Sequence, residues 1–368
     1  MHIRTITTAA ALALAAGLLV APLDATDWKR PSFEVIASGL DNPRGLAFGP
    51  DRALYVAEAG RGGNGACITN GAGANVCFGN TGAITRIGDD RTRRLISGLP
   101  SVAAGPASPA PGTQADGPHG ILFDRNGHGI ATIGLGANPN LRESLGPAGA
   151  RLARILRFRL GGGFKFAEDL GAYEDAANPA GGTIDSNPFG ITRLGGNVVV
   201  ADAGANDIIQ VDDGVLSTFA VFPNRVVPGP GGAPIPMQPV PTSVAEGPDG
   251  ALYVGQLTGF PFPVGGAAVF RVVQGSAPEV FAEGFTNIIG IAFDRRGALY
   301  VLEIAHNGLL SGNPVGALIK VSPDGTRQEL FPGALISPGG MTIGRDGAIY
   351  VTRFATLPGV GDVVRIQP

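Results

Sequence analysis

The chain has 368 residues, of which 44% are hydrophobic and 15% charged, and its formal net charge is −3. This composition supplies a sizeable core and excludes an intrinsically disordered chain, and the lack of any block of Lys or Arg argues against a nucleic-acid-binding surface. The 59 glycines and 30 prolines are spread among apolar runs, a pattern that indicates frequent tight turns.

Residues 1–25 have the pattern of a secretory signal peptide. The basic segment MHIRTITT is followed by the apolar run AALALAAGLLVA over residues 10–21, and a small residue near Ala25 marks the expected cleavage site. Because a membrane-spanning helix needs about 20 apolar residues, this run is too short for a transmembrane anchor. We therefore expect a secreted protein without an anchor, whose mature part is one domain over residues 32–368.

One phrase is repeated along this domain. It reads GLAFGPDRALYVAE from Gly45 and GIAFDRRGALYVLE from Gly290, and its copies begin near residues 45, 120, 190, 243, 290 and 340. Each copy predicts two short strands joined by a turn such as GPDG, and two more β-rich segments follow. Units of about 50 residues that each form one small sheet predict an all-β fold, a six-bladed β-propeller with four-stranded blades.

The two ends of the domain complement each other. The last unit stops after its third strand, GDVVRIQ over residues 361–367, whereas FEVIASGL over residues 33–40 is similar to the fourth strand of the first unit, RRLISGL. We expect the N-terminal strand (33–40) to complete the last blade. The ring is then closed and leaves no open sheet edge.

The sequence contains two cysteines, Cys67 and Cys77. Two nearby cysteines in an exported protein predict a disulfide bond. Closing a loop of about 11 residues stabilises the fold by about 2.8 kcal/mol when the bond acts on the entropy of the unfolded chain.

Loops on one face of the predicted ring carry the candidate binding residues. In a propeller, the loop before the innermost strand and the loop after the second strand emerge on the same face, beside the central channel. Alignment of the copies places four ligand-binding candidates on this channel face: Arg44, Asp116, Gln256 and Arg353. Three insertions rich in Gly, Ala and Pro are expected to form rim loops, the second with a short helical turn: residues 105–120, 134–150 and 228–241.

Three acidic residues stand at the ends of second strands: Glu58, Asp202 and Glu303. Their oxygens suit a hard cation such as Ca²⁺, which makes these residues candidate metal ligands. The alternative is structural, because the same acids could form ion pairs with Arg44 and Arg353 that set the spacing of the blades.

Two histidines are candidate catalytic residues. His119 lies in ADGPHGILF at the channel, and His306 lies three residues after Glu303 in EIAHNG. Either could act as a general base, His119 could instead be a metal ligand, or each could be a hydrogen-bonded loop residue. The sequence has no G-x-S-x-G, H-E-x-x-H or Walker motif, so nothing in it specifies a nucleophile.

Several longer phrases together resemble the ScyD/ScyE family of exported β-propeller proteins. They are GLDNPRGLAFGPDRALYVAEAGRGGNG, DGPHGILF, YEDAANPAGGTIDSNPFGI and VVADAGANDIIQV. The similarity covers nearly all of residues 33–368. It implies the propeller fold and export, but it implies no defined reaction and no catalytic residues.

Three functions remain open at this stage. The first is a secreted, monomeric propeller that binds a small molecule or an extracellular protein and has no catalytic activity. The second is a metal-dependent hydrolase such as a lactonase, with its site at the central channel. The third is a quinone-dependent sugar dehydrogenase in which Arg44, His119 and Arg353 face the cofactor. Fold alone does not decide between them.

Overall fold

A computed structural model describes residues 32–88 and 91–368. Of the seven antiparallel sheets that these residues form, six are arranged around a central channel, so the predicted six-bladed β-propeller is confirmed. The expected signal peptide lies outside the described residues. Within the part of the chain that the structure describes, no helix has the length and hydropathy needed to cross a membrane.

The first half of the chain forms three blades. It begins with β1 (Ser32–Leu40), which belongs to the last blade. The first blade contains β2 (Pro43–Phe48), β3 (Leu54–Glu58), the short β4 (Cys67–Thr69), β5 (Asn75–Ile87) and β6 (Thr92–Ala104). The next two blades contain β7 (Pro118–Phe123), β8 (Gly129–Ile133), β9 (Arg154–Phe158) and β10 (Phe164–Asp169), then β11 (Pro188–Leu194), β12 (Asn197–Asp202), β13 (Asp207–Asp212) and β14 (Val215–Val221).

The second half begins with a separate hairpin of β15 (Arg225–Pro228) and β16 (Pro234–Met237), where we expected a loop without strands. The fourth blade contains β17 (Pro241–Glu246), β18 (Leu252–Gln256), β19 (Ala267–Val272) and β20 (Glu279–Phe285). The last two blades contain β21 (Ile288–Phe293), β22 (Leu299–Glu303), β23 (Ala317–Val321) and β24 (Arg327–Leu330), then β25 (Gly340–Ile343), β26 (Ile349–Arg353) and β27 (Gly361–Gln367).

The α-helix α1 (Leu170–Ala177) follows β10. The side chain of Asp169 begins it by accepting a hydrogen bond from the N–H of Ala172 at 2.9 Å. The strand pattern did not predict this helix, because it is short and one of its buried side chains is the acid Glu174. Short 3₁₀ segments include Pro139–Leu145, which confirms the helical turn expected in the second insertion.

The N-terminal strand closes the ring, as predicted. β1 pairs antiparallel with β27, and Phe33 lies opposite Ile366 and Ala37 opposite Val363. The ring of Phe33 also packs against Phe331 with their centroids 5.9 Å apart. The first and last strands of the domain therefore share one blade.

The glycine that opens most copies of the repeated phrase is required where inner strands meet. A Cβ atom on Gly120 would lie 2.5 Å from the carbonyl oxygen of Phe189, and one on Gly190 would lie 2.7 Å from that of Thr242. No larger residue fits at these distances without moving the neighbouring backbone. The repeat therefore reflects the close approach of neighbouring blades at the channel.

The aspartate and tyrosine of the phrase stabilise the turn between the first two strands. Asp51 accepts hydrogen bonds from the N–H of Ala53 at 3.3 Å and the hydroxyl of Tyr55 at 3.1 Å, and it forms an ion pair with Arg86 at 2.8 Å. Such Asx turns are a local structural device. Two other blades repeat the arrangement, with Asp249 and Arg271 and with Asp346, Tyr350 and Arg365.

Apolar side chains fill the space between adjacent sheets, and hydroxyl groups join the blades near the channel. The hydroxyl of Thr132 donates to the carbonyl oxygen of Phe189 at 2.7 Å, and that of Thr352 donates to the carbonyl oxygen of Arg44 at 2.9 Å. The second contact joins the last blade to the first. The predicted disulfide is also confirmed, between Cys67 and Cys77 on paired strands β4 and β5.

Candidate functional site

The central channel is narrow. Its cavity of about 90 Å³ is lined by inner strands, including Gly45, Ile121, Phe189 and Met341. Small-molecule sites usually have volumes of about 300–1,000 Å³. A ligand of metabolite size therefore does not fit inside the channel, and at this site it would lie at the channel mouth, among the loops of the channel face.

Arg44 ties three loops together beside the channel. Its side chain is buried, and it donates to the carbonyl oxygens of Ala355 at 2.8 Å and Ala115 at 2.6 Å. These bonds connect the first blade to loops of the last and second blades. Burial lowers the pKa of Arg44, and the nearby charge of Asp116 opposes this shift.

Asp116 and His119 meet on the loop before β7. His119 is fully buried; its Nδ1 lies 3.3 Å from the carbonyl oxygen of Pro188 and its Nε2 lies 3.4 Å from Oδ1 of Asp116. The amide of Asn187 donates to the same Asp116 oxygen at 3.1 Å. Burial, and then the charge of Arg44, lowers the pKa of His119 well below its usual value, so the imidazole is neutral near pH 7.

Asp116 keeps one oxygen free. Its side chain is 16% exposed, and within residues 32–88 and 91–368 no group donates a hydrogen bond to Oδ2. Burial raises the pKa of Asp116, whereas Arg44 and the Asn187 hydrogen bond oppose the rise. Asp116 can therefore accept a hydrogen bond, or a proton, from a molecule at the channel mouth.

Glu58 holds the loop before β2. It is fully buried and accepts hydrogen bonds from the N–H of Asp41 at 2.7 Å and from the hydroxyl of Thr85. Arg94 on β6 adds two bonds, from Nε at 3.0 Å and from Nη2 at 2.7 Å. Four donors thus engage both oxygens of this carboxylate.

Asp202 and Glu303 repeat this role in their own blades. Asp202 accepts hydrogen bonds from the N–H of Asn187 at 2.6 Å and the hydroxyl of Ser186 at 2.7 Å. Glu303 accepts one from the N–H of Thr286 at 2.7 Å. In each case the acid at the end of a second strand fixes the loop before the first strand of the same blade.

The geometry does not fit a cation shared by Glu58, Asp202 and Glu303. Donors of their own blades engage these carboxylates, and within the described ranges 32–88 and 91–368 no three Asp, Glu, His or Cys side chains converge so as to hold a metal ion. The structural alternative agrees better with the contacts, but its partners differ from those expected. Glu58 pairs with Arg94 rather than with Arg44 or Arg353.

Gln256 and Arg353 do not join Arg44 and Asp116. Gln256 donates to the carbonyl oxygen of Pro239 at 3.3 Å and accepts from Arg225 at 3.1 Å. Arg353 forms a two-point ion pair with Asp362, at 2.9 and 2.6 Å. Both arginines that a quinone-binding site would use are therefore engaged by protein groups, Arg44 by backbone carbonyl oxygens beside the channel and Arg353 by Asp362.

His306 lies on the channel face in the fifth blade. Its Nδ1 is 2.5 Å from Oε2 of Glu303, and its side chain is 47% exposed. Burial raises the pKa of Glu303, and its hydrogen bond with His306 opposes the rise. A buried carboxylate that orients an accessible imidazole is a suitable arrangement for a general base.

Two residues of the site were not identified from the sequence. Asn187, in DSNPFG, has the features of a turn residue, and no pattern distinguishes its contact with Asp116. Arg94 lies in a fourth strand, where a polar residue normally faces solvent. The recurrence of Asn before the first strand, as in DNPR and SNPF, is the one signal that could have singled out Asn187.

No protein-family model and no curated protein matches the chain. Among solved structures, it is similar to a gluconolactonase from Xanthomonas campestris, with 12% identity and a TM-score of 0.52 over 92% of this chain and 90% of that chain. It is similar to a putative gluconolactonase with 13% identity and a TM-score of 0.52, over 92% of this chain and 93% of that chain. It is also similar to a streptogramin B lyase, with 16% identity and a TM-score of 0.50 over 92% of this chain and 98% of that chain. Identities this low show a common fold, the β-propeller, and carry no role over to this chain.

Proposed function

We propose that the protein is an exported β-propeller that binds a small hydroxylated molecule at its channel mouth, with Asp116 as the main acceptor. One observation carries this proposal. Of the four channel-face acids, Glu58, Asp202 and Glu303 have both oxygens engaged by their own blades. Asp116 has a side chain that is 16% exposed, and among residues 32–88 and 91–368 no group donates to its Oδ2.

The neighbours of Asp116 prepare it for binding. Asn187 and His119 contact Oδ1, which leaves Oδ2 for a ligand, and the buried Arg44 supports the negative charge. A hydrogen bond between a hydroxyl and a carboxylate contributes about 1.5–3 kcal/mol. Because the surrounding groups are already held in place, little ordering is needed on binding.

The proposal includes export and membership of the ScyD/ScyE family. The disulfide between Cys67 and Cys77 supports an oxidising compartment outside the cytoplasm. The phrases around residues 45–64 and 173–191 support the family resemblance. We further propose that the mature protein acts as a monomer, because β1 completes the last blade and no blade in the described part of the chain lacks a strand that a second copy could supply.

The test is a ligand screen of the purified mature protein by saturation-transfer NMR. The panel contains neutral hexoses, polyols, sugar lactones and catechol. We expect at least one compound to bind the wild-type protein and to lose binding in Asp116→Asn, while Asp175→Asn, an exposed acid on α1, binds normally. Binding that is equal in the wild type and Asp116→Asn, or the absence of binding across the panel, would contradict the proposal.

A second candidate, a lactone hydrolase, is favoured by the contact between His306 and Glu303. In that reaction Nε2 of His306 takes a proton from water as the water attacks the lactone carbonyl. The ring C–O bond then breaks as the imidazolium returns this proton to the leaving oxygen, which gives the hydroxy acid and restores the neutral histidine. The test follows hydrolysis of D-glucono-lactone in a pH-stat, with the wild type and His306→Ala. Turnover that is lost in His306→Ala would favour this candidate, and a rate equal to the buffer blank would remove it.

A further inference from the structure

The turns between first and second strands lie on the face opposite the channel mouth, and in three blades an arginine neutralises the aspartate of this turn. The arginine stands on the third strand of the blade, opposite the tyrosine of the second strand. The three ion pairs are Asp51–Arg86 at 2.8 Å, Asp249–Arg271 at 2.7 Å and Asp346–Arg365 at 2.7 Å. In these blades the two opposite charges therefore compensate each other.

The fifth blade departs from this arrangement. Its turn aspartate is Asp294, and the position of the arginine is taken by Lys320, which lies opposite Tyr300 in the sheet. Within residues 32–88 and 91–368 Lys320 forms no ion pair, and its Nζ lies 5.7 Å from the centre of the Tyr300 ring. The fifth blade therefore keeps a cation that three other blades neutralise.

Lys320 lines a groove that residues of the fifth and sixth blades form together. The groove has a volume of about 480 Å³, and small-molecule sites usually have volumes of about 300–1,000 Å³. Three arginines from the first turns of the two blades also line it: Arg295, Arg296 and Arg345. Gln367 and Pro368 belong to the same lining. Four cations therefore surround one space of metabolite size.

The protein itself leaves these four cations without partners. In the described part of the chain, none of them forms an ion pair. The two acids of the groove are engaged elsewhere, Asp294 by N–H groups of its own turn and by the hydroxyl of Tyr300, and Asp346 by Arg365. The groove therefore has a surplus of positive charge, although the whole chain has a net charge of −3. A cleft lined by one sign of charge attracts ligands of the opposite sign.

We propose that this groove binds a small molecule that carries two or more oxyanion groups, such as phosphates, sulfates or carboxylates. Guanidinium groups match the geometry of such oxyanions and can donate two parallel hydrogen bonds to each, and the lysine adds a compact charge. Because the cations come from two blades, a molecule with two anionic groups can contact more of them than a single ion can. The groove lies on the face opposite Asp116, so it is a site separate from the channel mouth.

The test measures the binding of three probes to the mature protein by calorimetry. The probes are inorganic pyrophosphate, citrate and a trisulfated heparin disaccharide, which represent phosphates, carboxylates and sulfates. We expect at least one probe to bind at one site per chain, and the probe that binds identifies the oxyanion. Its affinity should fall as the salt concentration rises, because salt screens exposed charges. No binding of any of the three probes would overturn the proposal.

Substitutions distinguish the groove from the other basic parts of the protein. Lys320→Gln and Arg345→Gln should each weaken binding by about 5-fold or more, because each removes a charge-assisted hydrogen bond that solvent partly screens. The matched control is Arg125→Gln. In DRNG of the second blade, Arg125 has the position that Arg295 has in DRRG, but it does not line the groove. This variant changes the net charge by the same amount and should bind as the wild type does.

The control also decides whether the attraction is local. An equal loss of binding in Lys320→Gln and Arg125→Gln would show attraction to the overall charge of the protein and would overturn the proposal. So would wild-type affinity in both Lys320→Gln and Arg345→Gln. Because neither substitution involves the channel mouth, the outcome is independent of the proposed function.

Discussion

Replacing Glu58 with Gln tests whether the channel-face acids are structural. The carboxylate of Glu58 receives hydrogen bonds from Asp41, Thr85 and, twice, Arg94. An amide keeps one acceptor oxygen and places an NH₂ group against the remaining donors, so about two of the four bonds are lost. Hydrogen bonds to charged groups are worth about 1.5–3 kcal/mol each. Because Arg94 is 42% exposed, solvent screening reduces this value. We expect a loss of about 2–3 kcal/mol in the free energy of unfolding.

The assay is urea unfolding followed by circular dichroism, with and without a chelator. We expect the same loss of stability in both conditions, because the donors of Glu58 are protein groups. Glu143→Gln serves as the control, since it removes an exposed acid and should change stability by less than about 0.5 kcal/mol. The reasoning fails if Glu58→Gln unfolds like the wild type, or if the chelator abolishes the difference between them.

Two further predictions concern the pH dependence of stability and the disulfide. The pKa values of about 7 to which burial raises Glu174 and Asp185 mean that the folded state binds more protons than the unfolded state between about pH 4 and 7. Their contribution is present at low pH and is lost as pH rises from about 4 through 7. The melting temperature should therefore fall between about pH 5 and 7.5 and level off above this range, with a smaller fall in Glu174→Gln. A flat profile across the range would contradict this. Replacing Cys67 and Cys77 with Ser should lower the free energy of unfolding by up to about 2.8 kcal/mol in chemical denaturation, and a change below about 0.5 kcal/mol would show that the loop they close is ordered without the bond.

The fold was predictable because each blade contains its own copy of the repeated phrase. The repeated Gly marks the contact between inner strands, and the repeated Asp and Tyr mark the turn between the first two strands. The ring closure was predictable because residues 33–40 supply the one strand that the last unit lacks. Features outside the repeat, such as α1 and the hairpin of β15 and β16, gave no comparable signal.

The candidate site was predictable in position and not in its contacts. Alignment of the copies placed Arg44, Asp116 and His119 on one face, and the structure brings these three together. The alignment could not show that Glu58 pairs with Arg94, because that contact depends on how the fourth strand packs across the blade. The buried Glu174 and the nearby Asp185 also gave no signal in the sequence, since one lies on a helix and the other in a loop outside the repeat.

A crystal structure of the mature protein in complex with a hydroxylated compound that binds in the NMR screen tests the central claim most directly. The account predicts a ligand hydroxyl within about 2.5–3.0 Å of Oδ2 of Asp116, with Oδ1 still held by Asn187. A ligand bound elsewhere on the propeller, with Asp116 making no contact to it, would contradict the account.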